Sequence, residues 1–501
     1  MSLFSSQNYL PVLIVSLLLL WGCKQPETVV IDDSPTVMAP SDTTEQYPTA
    51  DDDSEFRKLV IGEYQPISSF DPLLADNGAT MRSLQLIYEG LVRLDTNGDI
   101  IPAIAKNWNI SNDSLSYTFT LNQDIYYHDS DVFSTGTGRR LTAQDVKFVF
   151  ERMAKAGNPP TAAKLFWNIK GFEPFYQEQH KVYDPQKRTL SDISGIQTPN
   201  DSTVVFKLHE QDPQFLEKLA TPYALIYPQE AVNATQNTFA PVGTGPFTLS
   251  SQRADSTYIF AKSQKYHASA SIKLNRVDIL TSSSESNLMK QMGSGEIHLL
   301  PELGPNIIKN VTSTAGSLKT GFSDRYTLTK RDQFYDVIIR YNPAANISNA
   351  NAKRLSQLAY SKTSSYFEQL PGSLVTADST ASKLSSDSTL TVKNLYSVFS
   401  EDPFTRTYLG NLSRILNQQG VNLEMTKFRI PTRNTDLWVT QHSPLINDNK
   451  DKLKDSYPEL CRFRVYPTAL QRNEITGLDF NRYGWWLDLR DVSLPTLDKL
   501  N

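Results

Sequence analysis

The sequence predicts an α/β protein, and three observations carry that prediction. Strand-like and helix-like segments succeed one another, most clearly where Ser116-Tyr-Thr-Phe-Thr-Leu121 is followed by a helix that opens at Thr142. The composition is that of an ordinary globule, 39% hydrophobic with a formal net charge of −5. From Phe56 onwards the chain is long enough for two or three domains.

The N-terminal part reads differently. The first 22 residues hold no charged side chain, and Leu10 to Trp21 is almost wholly apolar. That length suits the h-region of a signal peptide better than a spanning helix, which needs about 20 apolar residues. Leu20-Trp-Gly-Cys23 then has the arrangement of a bacterial lipobox, which predicts cleavage before Cys23 and its acylation. An uncleaved anchor counted from Leu3 is the alternative, because the segment before Leu10 has no Lys or Arg and Trp21 stands where a smaller residue is usual. Either way the body of the chain is tethered outside the cytoplasm. Residues 24–55 are rich in Asp, Glu, Thr, Ser and Pro, carry Lys24 as their one basic residue, and read as a disordered acidic linker. Such a tether spans roughly 30 Å root-mean-square, and about 110 Å if pulled straight.

The elements follow in order. Leu59-Val-Ile-Gly62 reads as a first strand, and Phe70-Asp-Pro-Leu-Leu74 as a turn entering a helix with Pro72 at its first position. Leu84 to Leu94 reads as a helix ending near Gly90, then a short strand. Tyr117, Phe119 and Leu121 alternate with Thr118 and Thr120, the period of a half-buried strand. Thr142 with Asp145 three residues on is a capping-box pattern, and Val146, Val149, Phe150 and Met153 form one apolar stripe after it. Residues 155–192 are mixed, with aromatics at Phe166, Trp167, Phe172, Phe175 and Tyr176.

Further on, Pro199-Asn-Asp-Ser202 turns into the strand Thr203–Leu208, and Pro213–Leu219 reads as a short helix. Ala240-Pro-Val-Gly-Thr-Gly-Pro-Phe247 leads into another strand. A short helix separates Leu274–Leu280 from Gly295-Glu-Ile-His298. Tyr335–Asn342 is a strand, Asn351–Tyr360 a helix, and 361–389 a Ser/Thr-rich loop. Leu390–Phe399 is a strand, and Thr405–Gln419 an amphipathic helix capped by Gly420. Val421–Met425 is the strand that follows it. Gly484-Trp-Trp-Leu487 predicts a final strand.

Catalytic constellations are missing. His128, His180, His209, His267, His298 and His442 are scattered and make no metal-ligand spacing, so no metal or cofactor is expected. No Gly-x-Ser-x-Gly elbow is present. Gly136-Thr-Gly138 and Gly243-Thr-Gly245 lack the lysine and helix of a phosphate cradle and read as turns, and Asp129 with Asp131 reads as a solvated pair. The charge balance, with no basic patch, argues against nucleic acid. With Cys23 acylated, Cys461 has no partner for a disulfide.

Four stretches resemble the family-5 solute-binding proteins of ABC importers, the class of oligopeptide, dipeptide and nickel binders. They are Ala105-Lys-Asn-Trp108 with the strand and capped helix after it, the Asp71-Pro72 turn with Tyr88-Glu-Gly-Leu91, Gly243-Thr-Gly-Pro-Phe247, and Gly295-Glu-Ile-His298. The resemblance implies a two-lobed periplasmic-binding-protein-like fold, class II with an extra inserted domain and a hinge between lobes. It implies a first lobe from 56–78, 193–268 and 476–501, an inserted domain over 79–192, and a second lobe over 269–475. It also implies a non-enzymatic monomer that captures peptides or similar small polar solutes between lobes and delivers them to an ABC permease, held to the membrane by its N-terminal lipid.

The ligand-binding residues implied are Ile67, Ser68 and Phe70 after the first strand, Phe166 and Trp167 as a shelf, Tyr341 and Asn342, Trp438 and Gln441, and Trp485. Phe166 and Trp167 read equally as a satellite core, and Trp108 as a packing anchor. In family members that bind peptides, a carboxylate three residues after a tryptophan pairs with the α-amino group; here that position is Gln441 after Trp438. Asp448 and Asp451 follow a few residues on. Two rivals stand beside this reading. One is a degenerate relative that senses or scaffolds without transport, suggested by Gln441 and the 361–389 stretch. The other is an extracytoplasmic hydrolase, for which no nucleophile, base or metal set is visible.

Overall fold

The structure, a computed structural model, describes residues 57–495 except 234–237, 255, 343–350, 352–353, 356–357, 359–368, 373, 378–393, 400–402, 427–435, 443–458 and 482. The leader, Cys23, the acidic linker, Asp448 and Asp451 lie outside the described residues.

The chain enters through β1 (Lys58–Glu63), whose alternating side chains serve two different cores. Leu59 and Ile61 join the first core and Val60 the second. Helix α1 (Gly78–Ile87) starts where the Asn77 side chain accepts the Thr80 N–H at 2.9 Å. A small hairpin, β2 (Val92–Leu94) with β3 (Ile100–Pro102), leads to the insert.

The insert is an antiparallel sheet covered by helices. β4 (Ala105–Ile110) and β5 (Ser116–Leu121) precede α2 (Ala143–Ala154), α3 (Pro160–Leu165) and α4 (Phe172–Lys181). β6 (Ile196–Asn200) and β7 (Thr203–Lys207) close it in the order β4-β5-β7-β6. The capping box is present: the Asp145 carboxylate accepts the Thr142 N–H at 2.9 Å. All four residues of the predicted stripe are buried, and the Phe150 ring meets Phe166 at 4.9 Å and Phe206 at 5.1 Å. Because β5 pairs with β7, the insert's sheet runs to Lys207, past the expected limit at 192.

The chain then rejoins the first sheet. After α5 (Phe215–Leu219) and the hairpin β8 (Val232–Asn233) with β9 (Thr238–Phe239) come β10 (Phe247–Gln252), β11 (Thr257–Lys262) and β12 (Arg276–Thr281). α6 (Glu285–Ser294), β13 (Leu299–Leu300), α7 (Pro305–Val311) and β14 (Tyr326–Lys330) follow. β1 lies between β12 and β13, parallel to both. Such a strand, covered on both faces, is the reason Leu59-Val-Ile61 reads as an unbroken apolar run.

A second sheet takes β15 (Tyr335–Tyr341), β16 (Val375–Ala377), β17 (Asn394–Phe399), β18 (Asn422–Thr426), β19 (Leu437–His442) and β20 (Glu459–Val465), in the order β16-β20-β15-β19-β17-β18. The helix Pro403–Gln418 buries Tyr408, Leu409, Leu412 and Leu416 of the face its periodicity predicts, with Ile415 half-buried beside them, and it also buries Phe404 at its start. β21 (Thr468–Arg472) returns to the first sheet between β13 and β14. The second core draws on Val60 and on residues from Leu288 to Leu470.

The two sheets divide at 331–334 and 466–467, with β12, β13, β14 and β21 all in the first. Two expectations need correction. The stretch 361–389, expected as loop, contains β16. Gly484–Leu487 is not a strand: its carbonyls are taken by side chains of α1 instead of a ladder, with Arg82 donating to Gly484 O at 2.5 Å and Gln85 to Trp485 O at 2.7 Å.

Candidate functional site

The two sheets exchange chain at two short crossovers, 331–334 and 466–467, and β1 and β13 point their C-terminal ends the same way. Strand ends of this kind are where open α/β sheets offer ligands a crevice. Four charged side chains gather around these elements. Glu63 ends β1 and holds Arg82 of α1 in a two-pronged pair at 2.7 and 2.6 Å, with side chains only 2% and 1% exposed. Glu302, just beyond β13, stands 3.7 Å from Arg82 and accepts the Tyr335 hydroxyl at 3.2 Å. Burial opposes the charge on Arg82, but the Glu63 and Glu302 carboxylates together outweigh it and its pKa is raised.

Arg331, the first crossover residue, is buried without a carboxylate in ion-pair range among the described residues. Its guanidinium donates to the carbonyls of Tyr483, Trp486 (3.1 Å) and Pro301 (3.4 Å), while its own N–H reaches Pro467 O at 2.9 Å. Burial, and then the Arg82 cation, pull its pKa down to about 9, so it is still protonated at neutral pH.

The loop after β1 is fastened by its own side chains. Ile67 is buried and its carbonyl faces the Tyr258 hydroxyl at 3.5 Å. Ser68 is exposed, with its N–H on Thr80 Oγ1 at 2.9 Å and its hydroxyl on Asp76. Phe70 is half-buried, edge-on to Tyr258 and Phe260 at 5.8 and 6.2 Å. Asp71 caps the following turn and pairs with Arg152 of α2, which ties this loop to the insert.

The Gly-Thr-Gly and Tyr-Glu-Gly segments meet each other. A Cβ on Gly243 would lie 2.6 Å from Tyr88 Cδ1 and closer still to Ile87 O, so α1 ends against a glycine backbone. Thr244 donates to the buried Glu89 at 3.1 Å, and His267 and Arg490 stand 3.2 and 3.6 Å from the same carboxylate. These motifs are assembly points of the first lobe.

The remaining predicted residues separate into groups. Tyr341 and Asn342 end β15, and Trp438 and Gln441 lie on β19, which pairs with β15 so that Arg340 faces Trp438 and Val337 faces Gln441 along the backbone. The pairing therefore brings these two candidate segments together, although the side chains of Trp438 and Gln441 lie outside the described residues. Phe166 is a correction: at 1% exposure, against Phe150, it is core of the insert and presents no shelf. Trp167 lines a depression of about 400 Å³ formed by residues 164–168 of the insert and 209–218 after it, including Asn168 and His209. Trp485 is buried and stacks on Tyr483 at 5.2 Å. Sequence reasoning missed Arg331, Glu302 and Tyr335. Their signal is long-range sheet pairing, which no local pattern carries.

Comparison with known proteins fits this architecture. Residues 99–350, half of the chain, match the family described as bacterial extracellular solute-binding proteins, family 5 Middle. A di/tripeptide-binding protein of Pseudomonas aeruginosa is 24% identical over 241 residues, 46% of this chain and 42% of the relative. The dipeptide-binding protein DppE of Bacillus subtilis is 28% identical over 245 residues, 48% and 41% of the two chains. The match thus spans about two-fifths of the length of these relatives. In fold, the chain is similar to peptide-bound OppA of Listeria monocytogenes, with a TM-score of 0.66 at 15% identity over 88% of this chain and 99% of that one. The protein belongs to family 5 of the bacterial extracellular solute-binding proteins.

Proposed function

We propose that this protein captures peptides or similar small polar solutes between its two lobes and delivers them to an ABC importer permease. Acylated Cys23 holds it to the membrane, and residues 24–55 give the monomeric body reach. The observation that carries the reading is the pair of crossovers at 331–334 and 466–467, because two bodies joined this way form a cleft that closes by hinge bending. The names of the relatives supply the ligand class.

The ligand contacts in this reading are Ser68 and the half-buried Phe70 from the first lobe, and Tyr341, Asn342, Trp438 and Gln441 from the second. Ile67 and Trp485 act from behind as packed walls. Gln441 accepts a hydrogen bond but does not neutralise an ammonium group, a loss of about 1–3 kcal/mol against a buried carboxylate. Ligands here are therefore selected less on a free amino terminus than on backbone and side-chain fit. Binding is non-covalent and returns the ligand intact.

Thermal unfolding with defined di-, tri- and longer peptides tests this. A ligand at 100 times its Kd adds about 2.7 kcal/mol to stability. Peptides that raise the melting temperature and are recovered unhydrolysed support the reading, and a library that leaves it unmoved contradicts it. Labelled fatty acid should enter the wild-type chain and be absent from Cys23→Ser.

A further inference from the structure

We propose that the hinge bends at residues 332–334 and Tyr466, that Arg331 anchors it to the first lobe, and that the Tyr335–Glu302 hydrogen bond is the strap that sets its resting opening. This rests on the two-lobed capture reading and names the residues that govern it.

Arg331 and Pro467 are the fixed side of the crossover. They are bonded to each other, and the Arg331 guanidinium grips the carbonyls of Pro301, Tyr483 and Trp486, all on first-lobe segments, with its face over Phe480 at 4.8 Å. A planar fork that donates to three carbonyls on two separate chain segments holds its own residue in place. Tyr335 and Val465 are the other fixed side, paired to each other in the second sheet. Between these limits lie exposed Asp332, half-buried Gln333 and Phe334, and half-buried Tyr466, whose N–H stays on Leu374 O beside β16 at 2.9 Å, so that this strand turns on the carbonyl side of Tyr466. Phe334 meets Tyr466 edge-on at 5.9 Å. Lys330 from the first lobe lies over Tyr466 at 4.0 Å, and Arg464 from the second lies over Phe334 at 3.6 Å. Each such contact is weak on its own.

The strap differs in kind. The Tyr335 hydroxyl crosses from the second sheet to Glu302, whose carboxylate is held in place by Arg82 and so by Glu63 on β1. One polar chain therefore runs from the middle of the first sheet to the first residue of the second. Loss of its last link, the hydroxyl, frees the hinge while the Tyr335 ring stays in the second core.

The test uses the full chain in a Cys23→Ser, Cys461→Ser background, spin-labelled at Lys187→Cys on the insert and Asn417→Cys on the second-lobe helix. Pulsed dipolar spectroscopy then reads the lobe separation without ligand. Tyr335→Phe and Glu302→Leu, which leave the pair without its donor or its acceptor, should each shift the distribution to longer distances, and the double variant should shift it no further than Glu302→Leu alone. Arg331→Lys, which keeps the charge but loses the fork, should broaden the distribution. Distributions that superimpose on wild type for Tyr335→Phe and Glu302→Leu overturn the proposal. So does a double variant whose shift is the sum of the two. Because no ligand is present, either failure leaves peptide capture to be judged on its own binding data.

Discussion

Replacing Arg82 with methionine tests how much the junction of β1 and α1 depends on one buried pair. Met keeps most of the volume and removes the charge. The Glu63 carboxylate, 2% exposed, loses both short hydrogen bonds, and no other cation comes within ion-pair range of it among the described residues. Breaking a buried pair from one side costs about 3–5 kcal/mol, since the remaining charge stays desolvated. The Gly484 carbonyl also loses its 2.5 Å donor, and together these predict a loss of about 4–6 kcal/mol. Urea unfolding followed by tryptophan fluorescence and far-UV circular dichroism measures it, with coincident curves as the check on two-state behaviour. Glu63→Gln in the Arg82→Met background should recover part of the loss by removing the stranded charge. A loss under about 1 kcal/mol, typical of a hydrated surface pair, would refute the reasoning. A double variant less stable than Arg82→Met alone would do the same.

Acid should weaken the fold through His298. Burial, with the Arg472 cation next, lowers its folded-state pKa to about 4, and its Nδ1 accepts the Val60 N–H at 2.9 Å. The unfolded chain takes up a proton near pH 6.5 that the native state refuses, so this stability is fully present above that pH and is lost as pH falls towards 4. At most about 3 kcal/mol is at stake, and His298→Gln should flatten the wild-type difference between pH 7 and pH 4.5. Gly243→Ala forces a methyl group into the end of α1 and should cost about 1–3 kcal/mol by urea unfolding, with a neutral result contradicting the close packing. Phe166→Ala should cost about 3–5 kcal/mol and leave ligand affinity unchanged. Trp438→Ala should do the reverse, and equal affinity in that variant and wild type would remove Trp438 from the site.

Local chemistry made the insert readable. Thr142, Asp145 and the stripe from Val146 to Met153 lie within twelve residues, so their capping and periodicity show in the sequence and appear in α2. The helix Pro403–Gln418 was legible for the same reason. Sheet membership was not, because β1 pairs with partners more than 200 residues away and β5 closes on β7 across three helices. Trp485 and Trp486 look like strand residues, yet their segment is held by donors from α1 and the crossover, a solution with no period to detect. The crossover residues were the hardest to find. Arg331 stands in Lys330-Arg-Asp-Gln333, a run that looks like solvated surface, and only the fold shows it buried. The candidate segments Tyr341-Asn342 and Trp438–Gln441 were named from the sequence one by one, and only the β15–β19 pairing shows that they are neighbours along the backbone.

The central claim is that this chain holds a small solute between its lobes. Native mass spectrometry of the full protein purified from a bacterial host, followed by denaturing release of whatever co-purifies, tests it most directly. The account predicts a mass above that of the chain, resolved on release into intact short peptides or similar polar solutes. A protein that flies at its bare mass, and stays there after incubation with peptide pools, would contradict it.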